Sequence, residues 1–405
     1  MVSWLNVWIM VALLVPVLLS LTNPRGESQT QTQTQTHPKP HSQKQTQTQT
    51  LHLPPSLISS SSNLFFNERI RDGSNLDYDF YRDTCPQAED TIRSAVTRIF
   101  FDHRDSAPAI LRLFFHDCFI QGCDASVLLD DSNGNKNHSI EKQAIPNQTL
   151  RGFDKIDLIK EEVEQACPGV VSCADILAVA ARDFVLLAGG PFYPVLTGRR
   201  DSNQSFYDEA NDQIPRPDDN VNRTLRLFSL RGFNERETVS LLGGHNIGKI
   251  GCEFIQQRLY NFQGTGQPDP TIPVDFLGQM RLNCPENNNT SSTNEVSAFE
   301  VSQKENSHSE AGMSYMQALS SSMSSGGAFD THYFQSLLKG RGLLYADQQL
   351  MSHVKTARLV SAYASDDGST FRMDFARVML KMSNLDVLTG LQGQVRLNCS
   401  QGVSS

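Results

Sequence analysis

Eight cysteines, at positions 85, 118, 123, 167, 173, 252, 284 and 399, are spread over a chain of 405 residues, and nothing else constrains its fold as much. None falls in the first 84 residues. An even number of cysteines in one stretch suits an oxidising compartment and up to four disulfides, but spacing alone leaves about a hundred pairings open. The length allows one large domain or two smaller ones, with ample material for a buried core.

The cysteine-free start divides in two. Residues 1–22, MVSWLNVWIMVALLVPVLLSLT, form an apolar run that reads as a secretory signal; because a positive n-region is missing, an uncleaved membrane anchor is the alternative. Residues 23–73 carry the repeats QTQTQTQT and QTQTQT and a bias to Gln, Thr, Ser, His and Pro between Gly26 and about Asn63. Such a segment buries too little apolar surface to offset its chain entropy and reads as a disordered linker. A Ser/Asn-rich tract at about 286–327 reads as a long surface insertion, within a folded domain at 74–400. Sequons at Asn137, Asn147, Asn203, Asn222, Asn288, Asn289 and Asn398 are compatible with a secreted glycoprotein. A net charge of -9 without a local Lys/Arg-rich run argues against nucleic acid and leaves small molecules as the expected partners.

Within the domain the patterns are helical. Pro108 stands near the start of AILRLFFHDCF, where a missing N–H costs little. Ser172-Cys173-Ala174-Asp175 opens ILAVAARDFVLLA as a capping box, and Gly189-Gly190-Pro191 stops it. Asn234 to Glu237 caps TVSLL before Gly243-Gly244-His245. Long alternating strands are absent, so the fold class is mostly α.

The densest chemistry lies in RLFFHDCFIQGCDAS, Arg112 to Ser126. Arg112 and His116, four residues apart, emerge from one helix face and place a fixed cation beside a base. Asp117, Asp124 and Ser126 gather hard oxygens around a tight turn at Gly122, with carbonyls such as those of Ile120 and Gly122 within the same loop. That is the composition of a calcium loop closed by a small disulfide. A zinc site of His116, Cys118 and Cys123 is the competing reading.

RLFFHDCFIQGCDASVLLD is similar to the distal motif of the secreted plant haem peroxidases, the class III family. Further matches follow in the family's order: FYRDTCPQAE around Tyr81, EKQAIPN from Glu141, RGFDKID from Arg151, CPGVVSCADILAVAARD from Cys167, LTGRRDS from Leu196, LLGGHNIGKIGC from Leu241, RLYNF from Arg258, YADQQL from Tyr345 and GQVRLNCS from Gly393. The resemblance implies a two-part helical fold with haem b between distal and proximal halves. It also implies the pairs Cys85–Cys167, Cys118–Cys123, Cys173–Cys399 and Cys252–Cys284. The implied activity is reduction of hydrogen peroxide with one-electron oxidation of small phenolic donors, by a monomer in the extracellular space or cell wall. A secreted haem-binding or structural wall protein is the alternative.

The resemblance also assigns roles. His116 is the general acid/base for peroxide, Arg112 the permanent charge that stabilises the departing oxygen, Phe115 the pocket wall and Asn147 the acceptor that holds the distal imidazole in its neutral tautomer. His245 is the axial ligand, Asp347 takes its second ring proton, and Pro215 lies at the haem edge where aromatic donors dock. Distal calcium falls to Asp117, Ile120, Gly122, Asp124, Ser126 and Glu141, and Asn246 and Asp330 are the counterparts of proximal calcium ligands.

Departures cluster on the proximal side. Asn246 replaces the family's Thr after the axial His, and the remaining ligand positions fall on Ser322 and Ser325. The aromatic residue that packs beside the axial His has no evident counterpart. Asp105 stands in place of a common arginine, PNQTLRGF lacks a serine that would reach a haem propionate, and Tyr193 fills a place where many relatives carry Trp. Two other patterns carry no function. GGHNIGKI has a phosphate-loop frame but Ile250 where Ser or Thr would hold magnesium, and no G-x-S-x-G of a serine hydrolase occurs.

Overall fold

The segment Cys173–Leu187, CADILAVAARDFVLL, is apolar apart from Asp175, Arg182 and Asp183, and a helix so nearly hydrophobic all round is buried on most of its faces. In the computed structural model it is the central helix of one half of the protein. Every residue from Cys173 to Val185 is buried, and the Ser172 hydroxyl accepts a hydrogen bond from Asp175 N at 3.1 Å, as its capping pattern predicts. Gly190 follows its end because a Cβ there would lie 2.4 Å from a methyl of Val185.

The structure describes residues 76–132, 138–286, 312–313 and 329–402, all in a compact unit spanning Asp72–Ser405. The expected leader at 1–22, the expected linker at 23–73 and nearly all of the expected insertion at 286–327 lie outside the described residues, as do Ser322 and Ser325. The described residues contain thirteen α-helices: α1 Ala88–Asp102, α2 Ser106–Cys118, α3 Phe153–Ala166, α4 Cys173–Leu187, α5 Tyr207–Gln213, α6 Val221–Leu230, α7 Glu235–Leu242, α8 Gln256–Tyr260, α9 Val274–Asn283, α10 His332–Leu338, α11 Tyr345–Gln349, α12 Val354–Ser365 and α13 Ser369–Ser383. Strand structure among them is confined to one antiparallel pair, β1 Ile250–Gly251 with β2 Gly312–Met313, in the register Ile250 to Met313.

Two packed groups follow from the apolar faces. Helix α1 buries Ala88, Ile92, Ala95, Val96, Ile99 and Phe100, a helical stripe that rests on α3 and α4, while α2 also packs on α4. The second group joins α7, α10, α12 and α13 around the rings of Phe329, Phe334, Tyr363, Phe371 and Phe375, whose centroids lie 4.8 to 5.9 Å apart. Helix α13 touches α2, so one core runs through both groups.

Four disulfides link Cys85 to Cys167, Cys118 to Cys123, Cys173 to Cys399 and Cys252 to Cys284. This is the pairing that the family resemblance implies. It also removes the zinc reading, because Cys118 and Cys123 are bonded to each other and offer no thiolate.

Candidate functional site

Helix α2 is buried along most of its length but leaves Pro108, Ala109, Arg112 and Phe115 only partly covered, a single face by helical periodicity. His116 borders that face and is 5 % exposed. Its Nδ1 lies 2.6 Å from Asn147 Oδ1, and Asn147 Nδ2 donates to the Glu141 carbonyl at 2.8 Å. That second bond fixes the amide orientation, so Oδ1 receives a proton from His116 Nδ1 and the lone pair is left on Nε2. Burial, and then the charge of Arg112, depress the imidazole to about 3, against a smaller upward pull from Asn147. His116 is therefore neutral across the physiological range, with an open lone pair on Nε2.

Arg112 is anchored by the same loop. It donates to the carbonyl and hydroxyl of Thr149 at 3.0 and 3.1 Å and to the Pro146 carbonyl at 2.9 Å. Burial lowers it to about 10, with the Glu253 carboxylate opposing, and it stays cationic at neutral pH. Phe115 stacks against Phe119 at 4.7 Å and Phe228 at 5.9 Å, which makes a wall of it. The sequon Asn147-Gln148-Thr149 is thus consumed internally, by Asn147 on His116 and Thr149 on Arg112.

Behind His116 the acidic loop folds back on itself. Asp117 accepts from Ala125 N at 3.0 Å and Val127 N at 3.4 Å, and Asp124 accepts from Ser126 N at 3.0 Å. Gly122 has φ +118°, and a Cβ there would fall 2.4 Å from the Asp386 carbonyl oxygen, so only glycine fits. Ala125, at φ 58°, is one of three non-glycine residues with positive φ among the described residues, a strained position held between the Asp117 carboxylate and Arg396, which donates to its carbonyl at 2.6 Å. Asp117, Asp124, Ser126 and Glu141 are at most 3 % exposed and Ile120 is 1 % exposed. Burial first, then neighbouring carboxylates, hold Asp117 well above its ordinary value and push Glu141 up to about 8. Burial lifts Asp124 to about 6, against hydrogen bonds from Ser126. Glu141 Oε2 is buried without a hydrogen-bond partner. Among the described residues no three His, Cys, Asp or Glu side chains form a ready metal cage; what the loop offers is hard oxygens of mixed kind with orphaned lone pairs, the donor set of a calcium ion.

On the opposite side, α7 runs into a 3₁₀ turn at Gly243–Asn246. Gly243 is required because a Cβ would meet the Phe371 ring at 2.4 Å. The turn projects His245, whose Nδ1 lies 2.9 Å from Asp347 Oδ1. Asp347 is fully buried while the His245 side chain is 42 % exposed, so the bonded edge of the ring faces inward and Nε2 is the nitrogen left to meet a ligand. Burial works against a charged ring here, but the Asp347 carboxylate outweighs it and raises His245 above its ordinary value. Tyr333 supplies the aromatic that pattern matching does not locate, with its ring centroid 6.3 Å from that of His245. Only its setting reveals it, because in sequence it reads as one more core aromatic of HYFQSLL.

The two sides meet. Loop 243–248 lies on the open face of α2, since a Cβ on Gly244 would sit 3.5 Å from Leu111 and one on Gly248 would sit 2.8 Å from Pro108. Arg112 acts electrostatically on both His116 and His245. The structure therefore brings Arg112, Phe115, His116 and Asn147 together on one side and His245 and Asp347 on the other. Pro215 is half-buried beside the buried Ile214, and the Pro217 carbonyl accepts from Ala346 N at 2.9 Å, which ties this segment to α11 and Asp347. Asn246 Nδ2 donates to the Asp330 carbonyl at 2.5 Å while its Oδ1 is a buried orphan; the Asp330 carboxylate turns instead to His332, accepting from its backbone N at 2.8 Å and pairing with its ring. Asp105 is exposed just before α2.

The sequence model of the peroxidase family, described as Peroxidase, matches residues 92–366. The chain is 47% identical to the Arabidopsis thaliana protein named "Putative Peroxidase 48" over 342 residues, covering 82% of this chain and 84% of that one. It is 41% identical to Peroxidase N1 of Nicotiana tabacum over 79% of this chain and 88% of the relative, and 42% identical to Peroxidase 71 of Arabidopsis thaliana over the same shares.

Proposed function

Because this chain belongs to the class III plant peroxidase family and is a peroxidase, we propose that His116, Arg112 and Asn147 activate hydrogen peroxide in it, opposite a haem held by His245. The family implies haem and hydrogen peroxide, and the residues present fit the group: a histidine with Nε2 free, glycines that admit close approach, and a second histidine and an arginine on the facing helix. Haem, when bound, supplies the iron that binds peroxide and stores oxidising equivalents for later one-electron transfer.

His116 Nε2 takes the proton of the bound peroxide and returns it to the departing oxygen. Its low proton affinity leaves it unprotonated at neutral pH and makes it quick to give the proton back, and Asn147 keeps the nitrogen facing peroxide deprotonated beforehand. Arg112 stabilises the charge on the departing oxygen without losing its own proton. Asp347, drawing on the Nδ1 proton of His245, makes that imidazole a stronger donor. Phe115 keeps bulky donors from the peroxide side, and small phenols give up electrons at the edge marked by Pro215. The observation that carries this reading is the matched engagement of Nδ1 in both histidines, by Asn147 and by Asp347.

Calcium in the loop of Asp117, Ile120, Gly122, Asp124 and Ser126, with Glu141 behind it, gives α2 rigid support. On the proximal side Asn246 and Asp330 are neighbours, but with the Asp330 carboxylate engaged by His332 they favour a weaker site. Apolar residues 1–22, the sequons and the disulfides support secretion to the cell wall, and among the described residues no helix is long and apolar enough to cross a membrane. The architecture proposed is a leader at 1–22, a linker at 23–73 and one monomeric catalytic domain at 74–400 interrupted at about 286–327.

The test is the visible spectrum and guaiacol turnover of the haem-reconstituted protein beside His116→Ala. Turnover that collapses in the variant while the Soret band stays supports the assignment. Turnover that survives the substitution refutes it, and a haem band without turnover in the parent protein points to the binding role instead.

A further inference from the structure

Tyr333 is wholly buried in α10, and its hydroxyl donates to Asp347 Oδ1 at 2.9 Å. That oxygen is the one that receives the His245 Nδ1 proton, also at 2.9 Å. A buried phenol needs a hydrogen-bond partner, and this one has taken the acceptor on which the electronic character of His245 depends. Phenylalanine, as at the adjacent Phe334, would fill a core position without touching that oxygen.

We propose that Tyr333 is a positioning residue for His245: its hydroxyl pins the Asp347 carboxylate and, by sharing Oδ1, weakens the pull of that carboxylate on the Nδ1 proton. Two donors on one oxygen divide its lone-pair density, and in a buried chain each hydrogen bond polarises the next. His245 is thereby held as a less anionic, weaker donor than the His–Asp pair alone would make it. The inference rests on His245 as the axial ligand.

The test uses the full haem-loaded chain. Tyr333→Phe removes only the hydroxyl and keeps the ring, and the readouts are the ferrous Fe–His stretch by resonance Raman and the Fe(III)/Fe(II) midpoint potential. Loss of the hydroxyl moves the stretch to higher frequency and the midpoint to more negative potential. Replacing Tyr333 by 3-fluorotyrosine, a stronger donor of nearly the same shape, moves both the other way. Readings unchanged in both variants, or shifted in the same sense by both, overturn the proposal, since packing alone would not distinguish a stronger donor from none. A parent protein with no Fe–His band, or one whose band survives His245→Ala, sinks the axial assignment instead and the inference with it.

Discussion

Removing calcium should weaken this fold much more near pH 8 than near pH 5. Glu141 is pushed from 4.5 up to about 8 and Asp124 from 3.8 to about 6, mainly by burial, whereas in the unfolded chain both titrate close to 4. Between the unfolded and folded values the metal-free fold holds protons that the unfolded chain releases. Stability therefore falls as pH rises, at about 1.4 kcal/mol per pH unit for each group, is complete only below about pH 4, and is lost through pH 6 for Asp124 and pH 8 for Glu141. The ceilings are about 3 kcal/mol for Asp124 and about 5 kcal/mol for Glu141, before water entry and relaxation reduce them. If only about 3 kcal/mol survives, the midpoint of thermal unfolding of the metal-stripped protein drops by about 6 °C between the two pH values, at about 2 °C per kcal/mol. Bound calcium replaces this repulsion with attraction and should abolish most of the difference. Far-ultraviolet circular dichroism melts of resin-stripped and calcium-loaded protein at both pH values measure it. Equal destabilisation at the two pH values, or none, would refute the picture of a loop held against its own charge.

Other outcomes follow from the same geometry. His116→Ala should slow the reaction with peroxide by about 10²–10⁴-fold, the usual share of a general acid/base, as read by stopped-flow at the Soret band. Asn147→Ala leaves the His116 Nδ1 proton without its acceptor, at a cost of about 1–3 kcal/mol, and should lower the same rate constant by about ten- to a hundredfold while donor oxidation is unaffected. Peptide mass spectrometry should find Asn147 unmodified even where the exposed Asn203 and Asn222 carry glycans; an intact glycan on Asn147 removes it from the site. Both tryptophans, Trp4 and Trp8, lie in the proposed leader, so a cleaved mature protein should show no tryptophan emission, and a clear emission band would mean that residues 1–22 stay attached.

What could be read in advance was what one helix carries by itself. Arg112, Phe115, His116 and Asp117 fall within six residues, and helical spacing alone sets a cation beside a base on one face. The bounds of the helix Cys173–Leu187 were equally plain, because a capping box opens it and Gly189-Gly190-Pro191 stops it. Contacts made across the chain were not readable from spacing: Asn147 stands 31 residues from His116 and Asp347 stands 102 from His245, and only the family resemblance joined them. Tyr333 escaped both routes. Its ring fits any core, the resemblance offered no evident counterpart for the aromatic beside the axial His, and the meaning of its hydroxyl resides in where α11 delivers Asp347. Thr149 escaped likewise, since it looked like the tail of a glycosylation signal and turned out to hold Arg112.

The bond between Cys173 and Cys399 orders the protein in time as well as in space. Its two sulfurs are made 226 residues apart, an interval of roughly 10–45 s at ordinary elongation rates. The bonds Cys85–Cys167 and Cys118–Cys123 close within segments synthesised earlier, so α1 to α3 can be covalently settled while the first residue of α4 still carries an open thiol. During that interval Cys173 is available to the wrong partner. Its protection rests on the buried helix it heads, and a substitution that delays docking of α4 would show first as mispaired chains, before any loss of stability in those that finish correctly.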